Sequence, residues 1–81
     1  MFYVYILQSK KDGNLYIGRT NNVERRVGEH NIGKVSSTKS RRPLVLRKIF
    51  SVATELDSVN LEKELKKGFR REELKRELGL I

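Results

Sequence analysis

A chain of 81 residues buries only roughly 60% of its unfolded surface, which allows one domain, residues 1–81, around one core. Without cysteine it has no disulfide framework, cysteine-ligated zinc or thiol nucleophile, which fits a reducing, cytoplasmic setting; no apolar run is long enough to span a bilayer or patterned as a signal peptide. The net charge of +8 lies entirely in residues 1–50, which hold eleven Lys or Arg against Asp12, Glu24 and Glu29, whereas residues 51–81 hold seven of each sign.

The first segment, "FYVYILQ", is rich in β-branched and aromatic residues, and "KKDGN" after it favours a tight turn at Asp12-Gly13 before "LYIGR". These read as a β-hairpin. Asn21 or Asn22 caps a helix over "VERRVGEHN", which ends near Gly33, where the missing side chain permits a left-handed exit. The acid-free stretch "KVSSTKSRRP" is a loop, and Pro43, having no amide hydrogen, precedes a third strand "LVLRKIFSV". After "TELDS" a helix over "VNLEKELKK" sets Leu61 and Leu65 one turn apart and stops at Gly68. A last helix, "FRREELKREL", repeats the device with Leu74 and Leu78. The order β-β-α-β-α-α implies an α+β fold, a small three-stranded antiparallel sheet flanked by helices, with the register open.

A one-sided basic field raises the local concentration of a polyanion, so nucleic acid is the first partner to consider, with a solubilising surface as the bland alternative. On the first helix each residue advances about 100°, so Val23 and Val27 mark the buried stripe, with Arg26 about 60° from Val23 and Arg25 about 160° from it. Arg26 stands at the core edge together with His30, while Arg25 and Glu29 face water. An arginine held there needs an anionic partner, either a neighbouring carboxylate or a bound phosphate. Tyr5 and Tyr16 are strand tyrosines, ordinarily packing residues with the hydroxyl led to water. Gly18, two residues after Tyr16 on the same face, leaves an open patch where a ligand backbone can approach.

Tyr3-Val4-Tyr5, the run "LYIGRTNNVERRVGEH" with Tyr16-Ile17-Gly18, and "LEKELKK" on a later helix resemble the GIY-YIG nuclease superfamily. Its members include homing endonucleases, the nuclease module of the bacterial excinuclease and small stand-alone proteins. Tyr3 stands where the glycine that names the family is found. The resemblance covers nearly the whole chain and implies DNA cleavage by phosphodiester hydrolysis with one Mg²⁺ or Mn²⁺ ion, in repair or recombination. By position, Tyr5 and Tyr16 orient or deprotonate the attacking water, Arg26 neutralises charge on the scissile phosphate, Arg19 assists, and His30 lines the site. Glu62, matched as E-x-x-L-K with Leu65 and Lys66, holds the metal; helical spacing alone does not separate it from Glu64, which flanks the Leu61/Leu65 stripe equally.

Lys39, Arg41 and Arg42 lie in the basic loop, where their cations suit phosphate contacts that position a duplex without reading its sequence. Two other readings remain open from the sequence, a catalytically inactive nucleic-acid-binding module of the same fold and a basic protein-interaction adaptor. Oligomeric state and any recruiting protein partner are open as well.

Overall fold

The computed structural model describes residues 1–80. Its elements are β1 (Phe2–Ser9), β2 (Leu15–Thr20), α1 (Val23–Asn31), a 3-10 turn (Lys39–Arg41), β3 (Leu44–Val52), α2 (Glu55–Leu65) and α3 (Gly68–Glu77). The α+β class and the order β-β-α-β-α-α are those expected. The sheet runs β2-β1-β3, antiparallel throughout, with a register shift against β3 between Ile6 and Leu7. Among the described residues no helix is long and apolar enough to cross a membrane.

β1 is central because both of its sides are apolar. Val4 and Ile6 point to one face and join Leu15, Ile17, Leu65 and Leu74 in the larger core; Tyr5 and Leu7 point to the other and pack with Leu44, Tyr16 and Val27. Thus α1 covers one face, and α2 with α3 covers the other. Leu65 is wholly buried, a burial that stabilises by about 1.5–3 kcal/mol.

Local chemistry sets the turns. At the hairpin Gly13 adopts φ +75°, Asp12 Oδ1 accepts from the Asn14 amide at 2.9 Å, and the buried Ser9 hydroxyl accepts from the Lys11 and Asp12 amides. Asn22, rather than Asn21, caps α1 by accepting from the Arg25 amide, and Gly33 at φ +83° makes the left-handed exit. The Asn31 side chain then exchanges two hydrogen bonds with the backbone of Leu44, at 2.8 and 2.9 Å, which locks the end of α1 to the start of β3.

Two boundaries differ from expectation. α2 begins at Glu55, four residues before Val59, because Thr54 accepts from the Asp57 amide at 3.1 Å and Glu55 and Asp57 complement the positive helix terminus. Gly68 opens α3 instead of stopping α2. α2 already ends at Leu65, and the extended backbone of Lys67 (ψ 141°) redirects the chain so that Leu65 and Leu74 both reach the sheet. The basic loop is also more ordered than a solvated segment: Thr38 is buried, and the Ser9 hydroxyl donates to the Arg41 carbonyl at 2.6 Å.

Candidate active site

β2 is an edge strand whose two faces carry different chemistry. Alternation sends Tyr16 and Gly18 to the α1 side, and Ile17 and Arg19 to the side of α2. On the α1 side three rings converge: Tyr5 and Tyr16 have centroids 6.5 Å apart, and the His30 ring lies edge-on to both, at 5.7 and 5.0 Å. Tyr5 is 1% and His30 0% exposed, while Tyr16 is half-buried and keeps an edge in solvent.

Gly18 sits directly across from Tyr5 in the ladder. A Cβ at Gly18 would collide with the Tyr5 hydroxyl and ring carbon. The open patch expected over Gly18 is therefore filled from within the protein: the glycine makes room for a tyrosine instead of a ligand.

Both ring nitrogens of the buried imidazole are hydrogen-bonded: His30 Nδ1 lies 2.7 Å from Thr38 Oγ1 and Nε2 lies 2.8 Å from the Tyr5 hydroxyl, so Thr38, His30 and Tyr5 form one chain in which each hydroxyl can serve either as donor or as acceptor. Burial holds the His30 pKa below its ordinary value, and the charge of Arg26 lowers it further. Burial also raises the Tyr5 pKa, partly offset by the nearby Arg26 guanidinium. Both groups are neutral at neutral pH.

Two expected results follow. Thr38→Val leaves His30 Nδ1 unpaired in the core and costs about 1–3 kcal/mol, whereas Thr38→Ser keeps the hydroxyl and loses less than half as much; urea unfolding at pH 7.5 compares them, and equal losses would show that the hydroxyl is irrelevant. The second concerns pH. The folded His30 pKa lies below the unfolded value near 6.5, so the unfolded chain takes up the proton first as the pH falls. Stability is unaffected above that pH and declines as the pH drops through it toward the folded pKa. Asp12, Glu29 and Glu64 are also held below their ordinary values, but their contribution is lost only as the pH falls through the unfolded carboxylate values near 4, so the histidine dominates from pH 7 to about 5.5, and His30→Gln is expected to flatten the decline measured there by urea unfolding.

Arg26 stands on α1 beside these rings. Its Nη1 donates to Glu29 Oε1 at 3.1 Å, and that guanidinium holds the Glu29 carboxyl below its usual range. Glu29 is half-buried and does not face away as expected, because the i, i+3 spacing carries it round to Arg26. The neighbouring carboxylate is thus the anionic partner. Arg25 is exposed and donates only to Asn21 Oδ1.

Arg19 and Glu62 lie across the strand from these residues. Arg19 Nε is 3.8 Å from Glu62 Oε1, and its Nη1 is 4.0 Å from Glu55. Here the tertiary structure separates the two glutamates that helical spacing left equivalent: Glu62, 21% exposed, faces β2, whereas Glu64 turns to Lys67 at 2.9 Å. Among the described residues no three His, Asp or Glu side chains gather as a ready-made metal cage.

The loop cations do not join the rings. Arg41 donates through Nε to Asp12 at 3.1 Å and through Nη2 to the Leu15 carbonyl. Arg42 folds back, donating to the Lys39 carbonyl and covering Gly33, and Lys39 is exposed. Sequence reasoning missed Thr38, since a threonine in a Ser/Thr/Lys loop carries no local sign of burial, and it missed Glu29, whose spacing from Arg26 was the available signal.

Known proteins are similar to this chain. The GIY-YIG catalytic domain family matches residues 1–76. A UPF0213 protein of Staphylococcus haemolyticus is 45% identical over 76 residues, covering 90% of this chain and 89% of its own. One of Syntrophus aciditrophicus is 43% identical, covering 89% and 84%, and one of Halobacterium salinarum is 36% identical, covering 82% and 86%. The solution NMR structure of a UPF0213 protein from Bacillus halodurans superimposes with a TM-score of 0.57 at 35% identity, over 91% of this chain and 82% of that one. With the family matched over nearly its whole length and the fold shared by a relative, this chain belongs to the GIY-YIG catalytic domain family.

Proposed function

We propose that this protein is a divalent-metal-dependent endonuclease that hydrolyses phosphodiester bonds in DNA and is directed by structure or backbone rather than by a long sequence. The observation that carries the reading is the convergence of Tyr5, Tyr16 and His30 on one side of β2 beside Arg26 of α1, with Arg19 and Glu62 facing each other on the other side of the strand. A neutral core rarely gathers two phenols, an imidazole and a guanidinium without a use for them.

In this reading Tyr16, the phenol open to solvent, orients the attacking water and takes its proton. A phenol needs cations close by to act as a base, and Arg19 and Arg26 flank β2 on either face. Arg26 neutralises the charge that grows on the scissile phosphate through its forked donors. Tyr5 and His30 are hydrogen-bonded to each other and His30 is held by Thr38; the pair holds the Tyr16 ring in position. Arg19 supports Glu62.

Glu62 suits one Mg²⁺ or Mn²⁺ ion. Its oxygens stand 3.8 Å from Arg19 and 3.7 Å from Lys66, too far for hydrogen bonds, so their lone pairs remain available in a partly open position. A single carboxylate is enough for a hydrated cation that completes its shell with water and substrate phosphate. Bound there, the ion supplies Lewis-acid polarisation of the phosphoryl group.

The test is incubation of the pure protein with labelled single strands, duplexes, flaps and junctions, with Mg²⁺, Mn²⁺ or chelator. Cleavage of at least one substrate only with metal is the expected result. Binding without cleavage in either metal would reassign the chain as a nucleic-acid-binding module of this fold.

A further inference from the structure

On the α2/α3 side, where the hairpin, the 3-10 turn and α3 meet, a groove of about 350 Å³ is lined by Asn14, Leu15, Arg41, Arg71 and Lys75. Three of its five lining residues are cations and none is a carboxylate. The sequence gives no hint of it, because residues 51–81 are neutral in sum; the fold sorts their charges in space. Arg71 and Lys75 are one turn apart on α3, so they share a face, and the tertiary structure sets that face against Arg41.

The three cations are held differently. The Arg41 guanidinium is oriented by Asp12 and the Leu15 carbonyl, and its backbone is pinned by Ser9, which leaves Nη1 without a protein acceptor among the described residues. Lys75 makes only a 3.7 Å contact with Glu72, an exposed pair of little strength. The other ion pairs of α3 among the described residues join Arg70 to Glu73 and Glu77 to Lys48; Arg71 has none among the described residues. A concave surface that converges like charges with a preset guanidinium favours a bound anion. Leu15 lines the groove on one face of β2 and Tyr16, the next residue, carries its ring to the other, so the groove and the candidate site lie on opposite faces of the same edge strand.

We propose that this groove is a second phosphate-binding site, taking a backbone phosphodiester of the nucleic acid away from the reacting one. The inference rests on the nuclease reading for the identity of the polyanion. It shifts binding from the first half of the chain alone to a surface shared with α3.

The experiment measures duplex DNA binding by fluorescence anisotropy in chelator, as a function of salt, so that no cleavage is required. Each phosphate contact contributes about 0.9 to the slope of log affinity against log salt, and Arg71→Ala/Lys75→Ala is expected to lower the slope by about 0.9–1.8. Lys67→Ala/Arg76→Ala, with the same charge change just before α3 and in its last turn, outside the groove, is expected to lower it by less than half as much. A slope unchanged by the first pair, an equal drop in both pairs, or a parent that binds no duplex at low salt overturns the proposal. In a second arm, inorganic phosphate is expected to displace DNA no better than chloride at equal ionic strength; stronger displacement that requires Arg71 and Lys75 would assign the groove to free or terminal phosphate and overturn the backbone assignment. A parent that behaves as expected in both arms and cuts nothing with metal overturns the nuclease reading alone.

Discussion

Arg26→Ala is expected to lose cleavage by at least about 100-fold, the usual effect of removing one donor that meets developing charge, while Arg25→Ala stays within a few-fold of the parent. The two arginines are adjacent on α1 and carry the same charge, so a diffuse field would make them equivalent. Their surroundings differ: Arg26 is half-buried and oriented by Glu29, whereas Arg25 is exposed and touches Asn21. Arg26→Lys restores the charge without the planar fork and is expected to recover little. Single-turnover cleavage of saturating substrate by the folded variants checks this, and equal losses for the two Ala variants would remove Arg26 from the reaction.

The other large effect is expected at Glu62. Glu62→Gln keeps the shape of the side chain, and its contacts with Arg19 and Lys66 are long and partly exposed, so their loss changes stability little. DNA affinity in chelator is expected to be nearly that of the parent. Cleavage is expected to fall by orders of magnitude, because an amide no longer attracts a hard cation whose support is worth several kcal/mol. Glu64→Gln is the matched control: it has the same helix and the same charge change, but its carboxylate faces Lys67. Titration of Mn²⁺ against both variants decides the matter. Parental cleavage by Glu62→Gln, or loss of cleavage in Glu64→Gln, would move the metal site elsewhere.

The sequence by itself determined the elements and their order. β-Branched and aromatic runs, the Asp12-Gly13 turn, Asn22, Gly33 and Pro43 act over a few residues, and local interactions of that kind survive without knowledge of the fold. It also carried the resemblance from which Tyr5, Tyr16, Arg26, His30 and Glu62 were named. Tertiary structure alone decided what stands opposite what. Strand register depends on pairing between distant segments, so only the fold sets Gly18 across from Tyr5 and turns an apparent opening into space for a ring. Helical spacing left Glu62 and Glu64 equivalent until packing of α2 against β2 broke the symmetry. Thr38 looks like any loop threonine until α1 brings His30 to it, and the neutral sum of residues 51–81 conceals Arg71 and Lys75 until α3 docks beside Arg41. The reason is common to all four: composition and periodicity record what a residue is and how it recurs, whereas burial, pairing and local charge are set by neighbours that only the folded chain brings together.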